Sequence, residues 1–456
     1  MLPVIAIVGR PNVGKSTLFN RLIGSRQALV DDRPGVTRDR NYGTTEIGDR
    51  EVMLIDTGGF EPVPEDDLFA KIRVQAEIAI QEADVILLVV DIRAGMTPAD
   101  LMTAELLRRM GAFDRVILII NKCDGSRQDE LADEFWEMGH ENMLTLSAEH
   151  GRGVYELHDA IALRLPEPVE VETDDGEDAE NNEIRIAVIG RPNIGKSTLV
   201  NRMIGEDRHV VHDRPGTTMD TVDSVFETED GRKWRIVDTA GIRRRARINE
   251  RLEVVAVTRA IRVIERCHVT LLMVDGIEGI TGQDARLAAL AADRGRAVVL
   301  LINRWDLARN NPEVSSKDMA DQIQTSLPHL AWAPYLFISA LTGKGFNRIL
   351  PTILRIYAQF DKRIGTSELN RWLDATLIAH PPPQKHNHRV RLNYITQHRV
   401  RPPSFIIFGN SPEAIAPPYL RYLENQLREA YDFEGTPIRI KLKQKRRAGE
   451  AYEEGR

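Results

Sequence analysis

The sequence predicts an α/β protein with two tandem, doubly wound domains of one plan and a small third α/β domain at the C-terminal end. Three observations predict this. One set of short motifs occurs twice at a near-constant separation, short apolar runs alternate with amphipathic stretches inside each copy, and the pattern changes after about Gly365. The length of 456 residues suits about three domains at roughly 150 residues each. With 42% hydrophobic and 28% charged residues, the chain has enough apolar material for several cores and enough charge to be soluble.

The repeat is established first, because a missed repeat would spoil the fold assignment. Gly9-Arg-Pro-Asn-Val-Gly-Lys-Ser16 recurs as Gly190-Arg-Pro-Asn-Ile-Gly-Lys-Ser197, 181 residues on. Asp56-Thr-Gly-Gly59 recurs as Asp238-Thr-Ala-Gly241 and Asn121-Lys-Cys-Asp124 as Asn303-Arg-Trp-Asp306, both 182 residues on. Ser147-Ala148 recurs as Ser339-Ala340 after 192. A duplicated domain explains this, and a short-period solenoid does not.

In the first copy, Val4–Val8, Val52–Ile55, Val85–Val90 and Val116–Ile120 read as buried strands. Ala70–Gln81 and Ala99–Arg109 fit helices. The second copy matches with Ile184–Ile189, Val269–Val274 and Val298–Ile302. Such alternation builds a mostly parallel sheet covered on both faces. The expected boundaries are 1–166 for the first domain, 167–183 for a linker and 184–362 for the second domain. A basic C-terminal domain at 363–447 and a frayed tail at 448–456 complete the chain. In the last domain Glu368–Ala379 reads as a helix stopped by the prolines after His380. Arg389–Thr396 and Ser404–Phe408 read as strands, Tyr419–Tyr431 as a helix and Pro437–Leu442 as a last strand, giving the order α-β-β-α-β.

Net charge is −7 but uneven. Glu167 to Glu183 carries nine acidic residues and no Lys or Arg, which reads as a solvated linker. Arg363 to Arg447 carries 15 Lys and Arg against 7 Asp and Glu, so any affinity for nucleic acid belongs at this end. Two cysteines, Cys123 and Cys267, exclude a disulfide framework and a cysteine-based zinc site. The opening MLPVIAIVGRPN lacks the basic flank of a signal peptide, and no apolar run approaches the ~18 residues of a membrane span. A cytosolic location is expected. The eleven histidines show no metal-ligand spacing, and His386 and His388 read as part of a solvated loop.

Chemistry enters with Gly-x-x-x-x-Gly-Lys-Ser, which in both copies follows an apolar strand and precedes a helix-like stretch. Backbone N–H groups of such a loop turn toward phosphate, and the following helix N-terminus adds partial positive charge. The candidate phosphate loops are therefore Gly9, Arg10, Pro11, Asn12, Val13, Gly14, Lys15, Ser16 and Thr17, and Gly190, Arg191, Pro192, Asn193, Ile194, Gly195, Lys196, Ser197 and Thr198. Lys15 and Lys196 would reach the β- and γ-phosphates, with Ser16 and Ser197 on Mg²⁺. Asp56 and Asp238 end apolar runs and open Asp-x-x-Gly turns, where a carboxylate holds Mg²⁺ through water. Thr57, Gly58 and Gly59, and Thr239, Ala240 and Gly241, follow them, and the glycines would offer an N–H to the γ-phosphate. On its own an Asp-x-x-Gly is commonly just a turn. Its weight comes from its place behind the phosphate loop. Between the two motifs lie Asp32-Arg-Pro-Gly-Val-Thr-Arg-Asp39 and Asp213-Arg-Pro-Gly-Thr-Thr-Met-Asp220, with Thr37 and Thr218 the candidates for closing on Mg²⁺.

The base is chosen by Asn121-Lys122-Cys-Asp124. An Asp there accepts both N1–H and N2–H₂ of guanine, whereas adenine would leave the carboxylate unpaired. Asn121 suits N7, the Lys122 stem suits the base plane, and Ser147-Ala148 suits guanine O6 through a backbone N–H. In the second copy Asn303, Asp306, Ser339 and Ala340 repeat these roles. Arg304 stands where Lys is usual; an Arg can also stack on a base, though its planar fork differs from an ammonium. The sequence thus implies a protein that binds GTP twice. Phe60 and Ile242 follow the Asp-x-x-Gly turns, where a Gln orients water in related hydrolases, and neither can do so by hydrogen bonding. Slow intrinsic hydrolysis is expected, with no assignable catalytic base. A nucleotide-sensing adaptor that barely hydrolyses stays open as the alternative. Arg243–Arg245 with Arg247 reads as a basic face toward ribosomal RNA or another domain, as a solvated face, or as a finger acting on the protein's own GTP.

Together these motifs resemble the translation-factor-related branch of P-loop GTPases. The GRPNVGKS and GRPNIGKS loops, DRPGVTRD, DTGGF, DTAGIRRR and the stretches FGNSPEAI and FEGTPIRI resemble the bacterial ribosome-assembly GTPase family Der, also called EngA. The resemblance covers nearly the whole chain, and the duplication is its most specific part. It implies a KH-like C-terminal domain and a GTP-hydrolysing switch, acting as a monomer, in maturation of the large ribosomal subunit and on its RNA. Members of this branch with Asn in the phosphate loop, here Asn12 and Asn193, often use K⁺ beside the phosphates, so K⁺ or the ribosome is expected to stimulate hydrolysis. Between Arg363 and Arg447 there is no Gly-x-x-Gly, the loop by which ordinary KH domains clamp nucleotides.

Overall fold

The computed structural model describes residues 2–24, 42–57, 79–125, 130–167, 183–205, 209–210, 223–239, 260–310, 314–382, 390–411 and 414–444. The chain divides into two compact units, Met1–Asp174 with Arg251–Arg262 and Asp175–Glu250 with Val263–Arg456.

In the first unit the elements run β1 (Val4–Val8), α1 (Lys15–Gly24), β2 (Tyr42–Ile47), β3 (Arg50–Asp56), β4 (Val85–Asp91), α2 (Pro98–Arg109), β5 (Val116–Asn121), β6 (Met143–Thr145) and α3 (Val154–Ala162). They form one sheet in the order β2-β3-β1-β4-β5-β6, parallel except for β2. Every residue of β1, β4 and β5 is buried, which is why these segments read as unbroken apolar runs rather than alternating ones. Ile5, Ile7, Leu87, Val89, Ile117 and Ile119 on one sheet face pack with Leu18 and Leu22 of α1 and Leu157 and Ile161 of α3. Since β1 lies between β3 and β4, the strand order reverses at its C-terminal end. That crevice is where doubly wound sheets bind ligands. The helix α2 starts at a capping box, Thr97 and Asp100 each accepting the other's backbone N–H.

The second unit repeats this plan and adds a domain. Its elements are β7 (Glu183–Gly190), α4 (Lys196–Gly205), β8 (His209–Val210), β9 (Ser224–Glu227), β10 (Lys233–Ile236), β11 (Val269–Asp275), α5 (Gly282–Asp293), β12 (Ala297–Asn303), α6 (Ser316–Ser326), β13 (Tyr335–Phe337) and α7 (Ile349–Phe360). The sheet order is β13-β12-β11-β7-β10-β9-β8, with β9 antiparallel to both β8 and β10 and the other pairs parallel. The expected linker loses its last residue to this sheet: Glu183 opens β7 and pairs with Arg235 of β10 across the register Glu183–Lys233. The helix expected at Ala70–Gln81 lies mostly outside the described residues, as does the linker between 168 and 182.

The remaining elements are α8 (Thr366–Ala379), β14 (Leu392–Arg399), β15 (Ser404–Gly409), α9 (Pro417–Tyr431) and β16 (Arg439–Gln444). β14 and β15 are antiparallel, and β15 and β16 are parallel. Ile395, Phe405 and Ile407 turn to one face and meet Leu369 and Leu373 of α8 and Leu423 and Leu427 of α9.

This small domain is fixed to the second doubly wound sheet by backbone as well as side chains. Gly435 donates to Trp332 O (2.8 Å), and its own carbonyl accepts from Val298 N (2.8 Å). Arg428 donates to Thr436 O (2.9 Å) while its guanidinium lies 5.3 Å from the Trp332 ring centre. Burial pushes its pKa down to about 10. Gly435 has φ +67°, and a Cβ there would stand 2.7 Å from Ile356. Left-handed strain and overpacking together cost about 2–4 kcal/mol. Gly435→Ala is therefore expected to lower the thermal midpoint of the full chain by roughly 5–10 °C, read by calorimetry. A midpoint unchanged within a degree would remove this role for Gly435.

Candidate nucleotide site

Each phosphate loop begins at the C-terminal end of the switch-point strand and runs into the next helix. Gly9 to Thr17 link β1 to α1, and Gly190 to Thr198 link β7 to α4. The loop closes against the base-selecting motif. A Cβ on Gly14 (φ +97°) would meet Asn121 Nδ2 at 2.3 Å, and one on Gly195 (φ +103°) would meet Asn303 Nδ2 at 2.6 Å. Only glycine allows that approach.

Asn121 is buried and bonded at both ends. Its Nδ2 donates to Val13 O (2.8 Å), and its Oδ1 accepts from Ala148 N (3.0 Å). The second copy repeats this, with Asn303 Nδ2 to Ile194 O (2.7 Å) and Ala340 N to Asn303 Oδ1 (2.8 Å). The Asn thus ties the phosphate loop to the Ser-Ala loop and keeps one amide N–H for a base. The Ala148 and Ala340 N–H groups, expected for guanine O6, face the Asn oxygen instead.

Lys15 is only 5% exposed and donates to Arg10 O (2.7 Å). Burial lowers its pKa to about 8; Asp56 opposes that shift and Arg10 adds to it. A buried ammonium held on a backbone carbonyl is poised to exchange that partner for phosphate oxygens. Lys196 donates likewise to Gly190 O (2.8 Å) and Arg191 O. The arginines that carry these carbonyls are themselves anchored. Arg10 Nε lies 3.4 Å from Asp100 and Arg191 Nε 3.1 Å from Asp284, the capping-box residues of α2 and α5.

Ser16 Oγ donates to Asp56 Oδ2 (2.7 Å), and Asp56 is the last residue of β3. A hydroxyl and a carboxylate side by side at the phosphate loop are hard oxygen donors of the kind Mg²⁺ takes. Thr57 is locked beneath them, Oγ1 donating to Ile7 O (2.8 Å). In the second copy Asp238 lies two residues past β10 with φ +55°, its N–H on Asp223 Oδ1 (3.0 Å). Ser197 opens α4 beside Lys196, and Thr239 is buried against Ser224 (2.9 Å). The candidates Thr37, Gly58, Gly59, Phe60, Thr218, Ala240, Gly241 and Ile242, and the arginines at 243–247, lie outside the described residues.

The base-plane residues reveal partners that motif reading missed. Lys122 (φ +69°) donates to Asp91 Oδ2 (2.6 Å) and Asn12 O (2.7 Å). Arg304 (φ +58°) reaches Asp275 Oδ2 (2.8 Å) and Asn193 O (2.9 Å), the equivalent pair. The Arg therefore keeps the mooring of the usual Lys. Asp91 and Asp275 end β4 and β11, and their recurrence 184 residues apart was the available signal.

The two base-selecting carboxylates differ. Asp124 accepts from Ser147 Oγ (2.8 Å) and is paired with Arg93, which together hold its pKa below the ordinary carboxylate value. In the second copy Ile277 stands where Arg93 does, and among the described residues no side chain pairs with Asp306. Ser339 Oγ accepts from Thr342 N (3.2 Å). The first carboxylate is thus occupied by Arg93 in this structure, and the second has no such arginine beside it.

A family model described as "50S ribosome-binding GTPase" matches residues 4–122 and 185–304, and one described as "KH-domain-like of EngA bacterial GTPase enzymes, C-terminal" matches 363–443. The chain is similar to the GTPase Der of Syntrophotalea carbinolica, 44% identical over 97% of this chain and 99% of that protein. It is also similar to that of Geobacter metallireducens, 45% identical over 96% of this chain and 98% of that one. Among solved structures, Aquifex aeolicus Era bound to GDP and AlF₄⁻ aligns with 47% of this chain and 74% of that chain, at 26% identity and a TM-score of 0.31. Among the described residues no helix is long and apolar enough to cross a membrane.

Proposed function

The chain belongs to the GTPase Der family and is a GTP-binding GTPase, and from that premise we propose that it works as a GTP-driven switch in maturation of the large ribosomal subunit. The observation that carries this reading is the duplicated frame of Lys15, Asn121 and Asp124 and of Lys196, Asn303 and Asp306, joined in one chain to a basic KH-like domain.

In each pocket the phosphate-loop amides and the lysine take the triphosphate, and the Asn-x-x-Asp turn takes guanine. Ser16, Thr37 and Asp56, and Ser197, Thr218 and Asp238, are the proposed oxygen ligands for Mg²⁺, which when bound neutralises charge between the β- and γ-phosphates. Lys15 gives up Arg10 O for phosphate oxygen, and the incoming negative charge raises its pKa from about 8 so that it stays an ammonium. K⁺ beside Asn12 and Asn193 is the proposed source of the further positive charge that an arginine finger supplies elsewhere, worth ~10³–10⁵ in rate.

Two measurements test this. Sedimentation with ribosomal particles is expected to place the protein on the large subunit with a non-hydrolysable GTP analogue and to release it with GDP. Single-turnover hydrolysis is expected to be faster in K⁺ than in Na⁺. Binding to particles that ignores the nucleotide would sink the switch; equal rates in the two salts would sink the K⁺ site.

A further inference from the structure

Each nucleotide pocket carries the same backbone turn after its switch-point neighbour strand, with a different side chain on it. Arg93 N donates to Asp91 Oδ1 (3.0 Å), and Ile277 N donates to Asp275 Oδ1 (2.8 Å). Main-chain bonding thus ties both residues to the strand-end carboxylate. That carboxylate also moors Lys122 in the first copy and Arg304 in the second, each two positions before the base-selecting Asp. The turn therefore delivers residue 93 beside Asp124, and its counterpart 277 is held by the same bonds relative to Asp306. In the first copy the side chain reaches across. Arg93 Nη2 donates to Asp124 Oδ2, while Ser147 Oγ donates to Oδ1 (2.8 Å). Both oxygens expected to take guanine thus have a donor from the protein. Ile277 is 46% exposed and has no donor to offer.

A guanidinium and the carboxylate-facing edge of guanine are alike in chemistry. Each is a planar carbon with N–H donors side by side, and each suits the two oxygens of one carboxylate. Guanine is neutral and arrives from solution, whereas Arg93 is charged and tethered. We propose that Arg93 is an affinity-determining residue of the first pocket, an internal competitor that holds Asp124 until guanine takes its place. The second pocket, with Ile277 on the same turn, has no such competitor. The pair is exposed and screened by solvent, so it slows entry and does not block it. Its effect belongs to association, because a seated base has already displaced the arginine from the carboxylate. The inference rests on base selection by Asp124 as proposed above.

Stopped-flow fluorescence with methylanthraniloyl-GDP tests this on the full chain. Asp306→Asn is carried in the background so that the first pocket alone takes up guanine. Arg93→Ile, which installs the second pocket's residue, is expected to raise the association rate constant roughly two- to fivefold, the scale of an exposed ion pair. Dissociation, chased with unlabelled GDP, is expected to stay as in the parent. The reverse exchange, Ile277→Arg in an Asp124→Asn background, is expected to slow entry to the second pocket by a similar factor. The competition needs the carboxylate, so in a chain carrying Asp124→Asn, Arg93→Ile is expected to leave association of methylanthraniloyl-xanthosine diphosphate unchanged. Association of GDP unchanged or slowed by Arg93→Ile would overturn the proposal. Faster dissociation would overturn it too, by making Arg93 a holder of bound nucleotide, as would an equal gain with the xanthosine nucleotide in Asp124→Asn. Failure of base selection reads differently: Asp124→Asn would then keep GDP and gain nothing for the xanthosine nucleotide, whatever stands at position 93.

Discussion

Asp124→Asn and Asp306→Asn are each expected to lower the GTP affinity of their own pocket by a factor on the order of 10⁴ while leaving the other pocket intact. The carboxylate accepts two hydrogen bonds from guanine, at N1–H and N2–H₂. The amide that replaces it keeps one acceptor and turns a donor toward the exocyclic amino group, so two donors face each other out of water. Xanthine carries a carbonyl where guanine carries that amino group, and it restores the match. The variants are therefore expected to bind xanthosine triphosphate more tightly than GTP, as read by titration with fluorescent analogues of both. In the first pocket Asp124→Asn also frees Arg93, whose guanidinium holds the carboxylate in this structure. That pair is exposed and solvent-screened, too weak to mask the change in base choice. A variant that binds GTP as the parent does, in both pockets, would remove these carboxylates from base selection.

Legibility of the fold followed burial. Val4–Val8 was readable to the residue because a central parallel strand is buried on both faces and ends at Gly9, where the phosphate loop needs a backbone no other residue adopts. Val85–Val90 and Val116–Ile120 each missed a single terminal residue, Asp91 and Asn121, because both are polar. In the C-terminal domain the alternation suggested Arg389–Thr396, whereas the strand is Leu392–Arg399. Register shifts between Leu392 and Tyr394 and between Gln397 and Arg399 break the period of two, and a pattern reader cannot see a bulge. The last strand likewise begins at Arg439 rather than Pro437, after the segment in which Gly435 bonds to the second domain. In the site, the motif residues were legible because their types and spacing are demanded by phosphate and guanine. Asp91, Arg93 and Asp100, with Asp275 and Asp284 in the second copy, were not, because they act on other side chains through tertiary contact. A strand-end Asp or a capping-box Asp has an ordinary local explanation that conceals this second role.

The largest effect that depends on such hidden contacts is expected at the buried Asn. Asn121→Ala removes the amide that joins Val13 O to Ala148 N, leaving one acceptor and one donor without their protein partner at a buried position. Each orphaned group costs about 1–3 kcal/mol, so the pair costs about 2–6 kcal/mol. The cost falls on the closed arrangement of two loops rather than on the sheet, whose strands are held by their own ladders and apolar packing. Nucleotide binding requires that arrangement, so the loss should surface as affinity for GTP and GDP alike, roughly 30-fold to 10⁴-fold. Asn303→Ala should do the same to the second pocket, where Ile194 O and Ala340 N are the groups left behind. This separates the brace from the base-selecting carboxylate, since xanthosine triphosphate rescues Asp124→Asn but has nothing to offer Asn121→Ala. Calorimetric titration of each variant with GDP, beside its thermal unfolding, decides the matter. Affinity within threefold of the parent would mean that the two loops hold their positions without the asparagine.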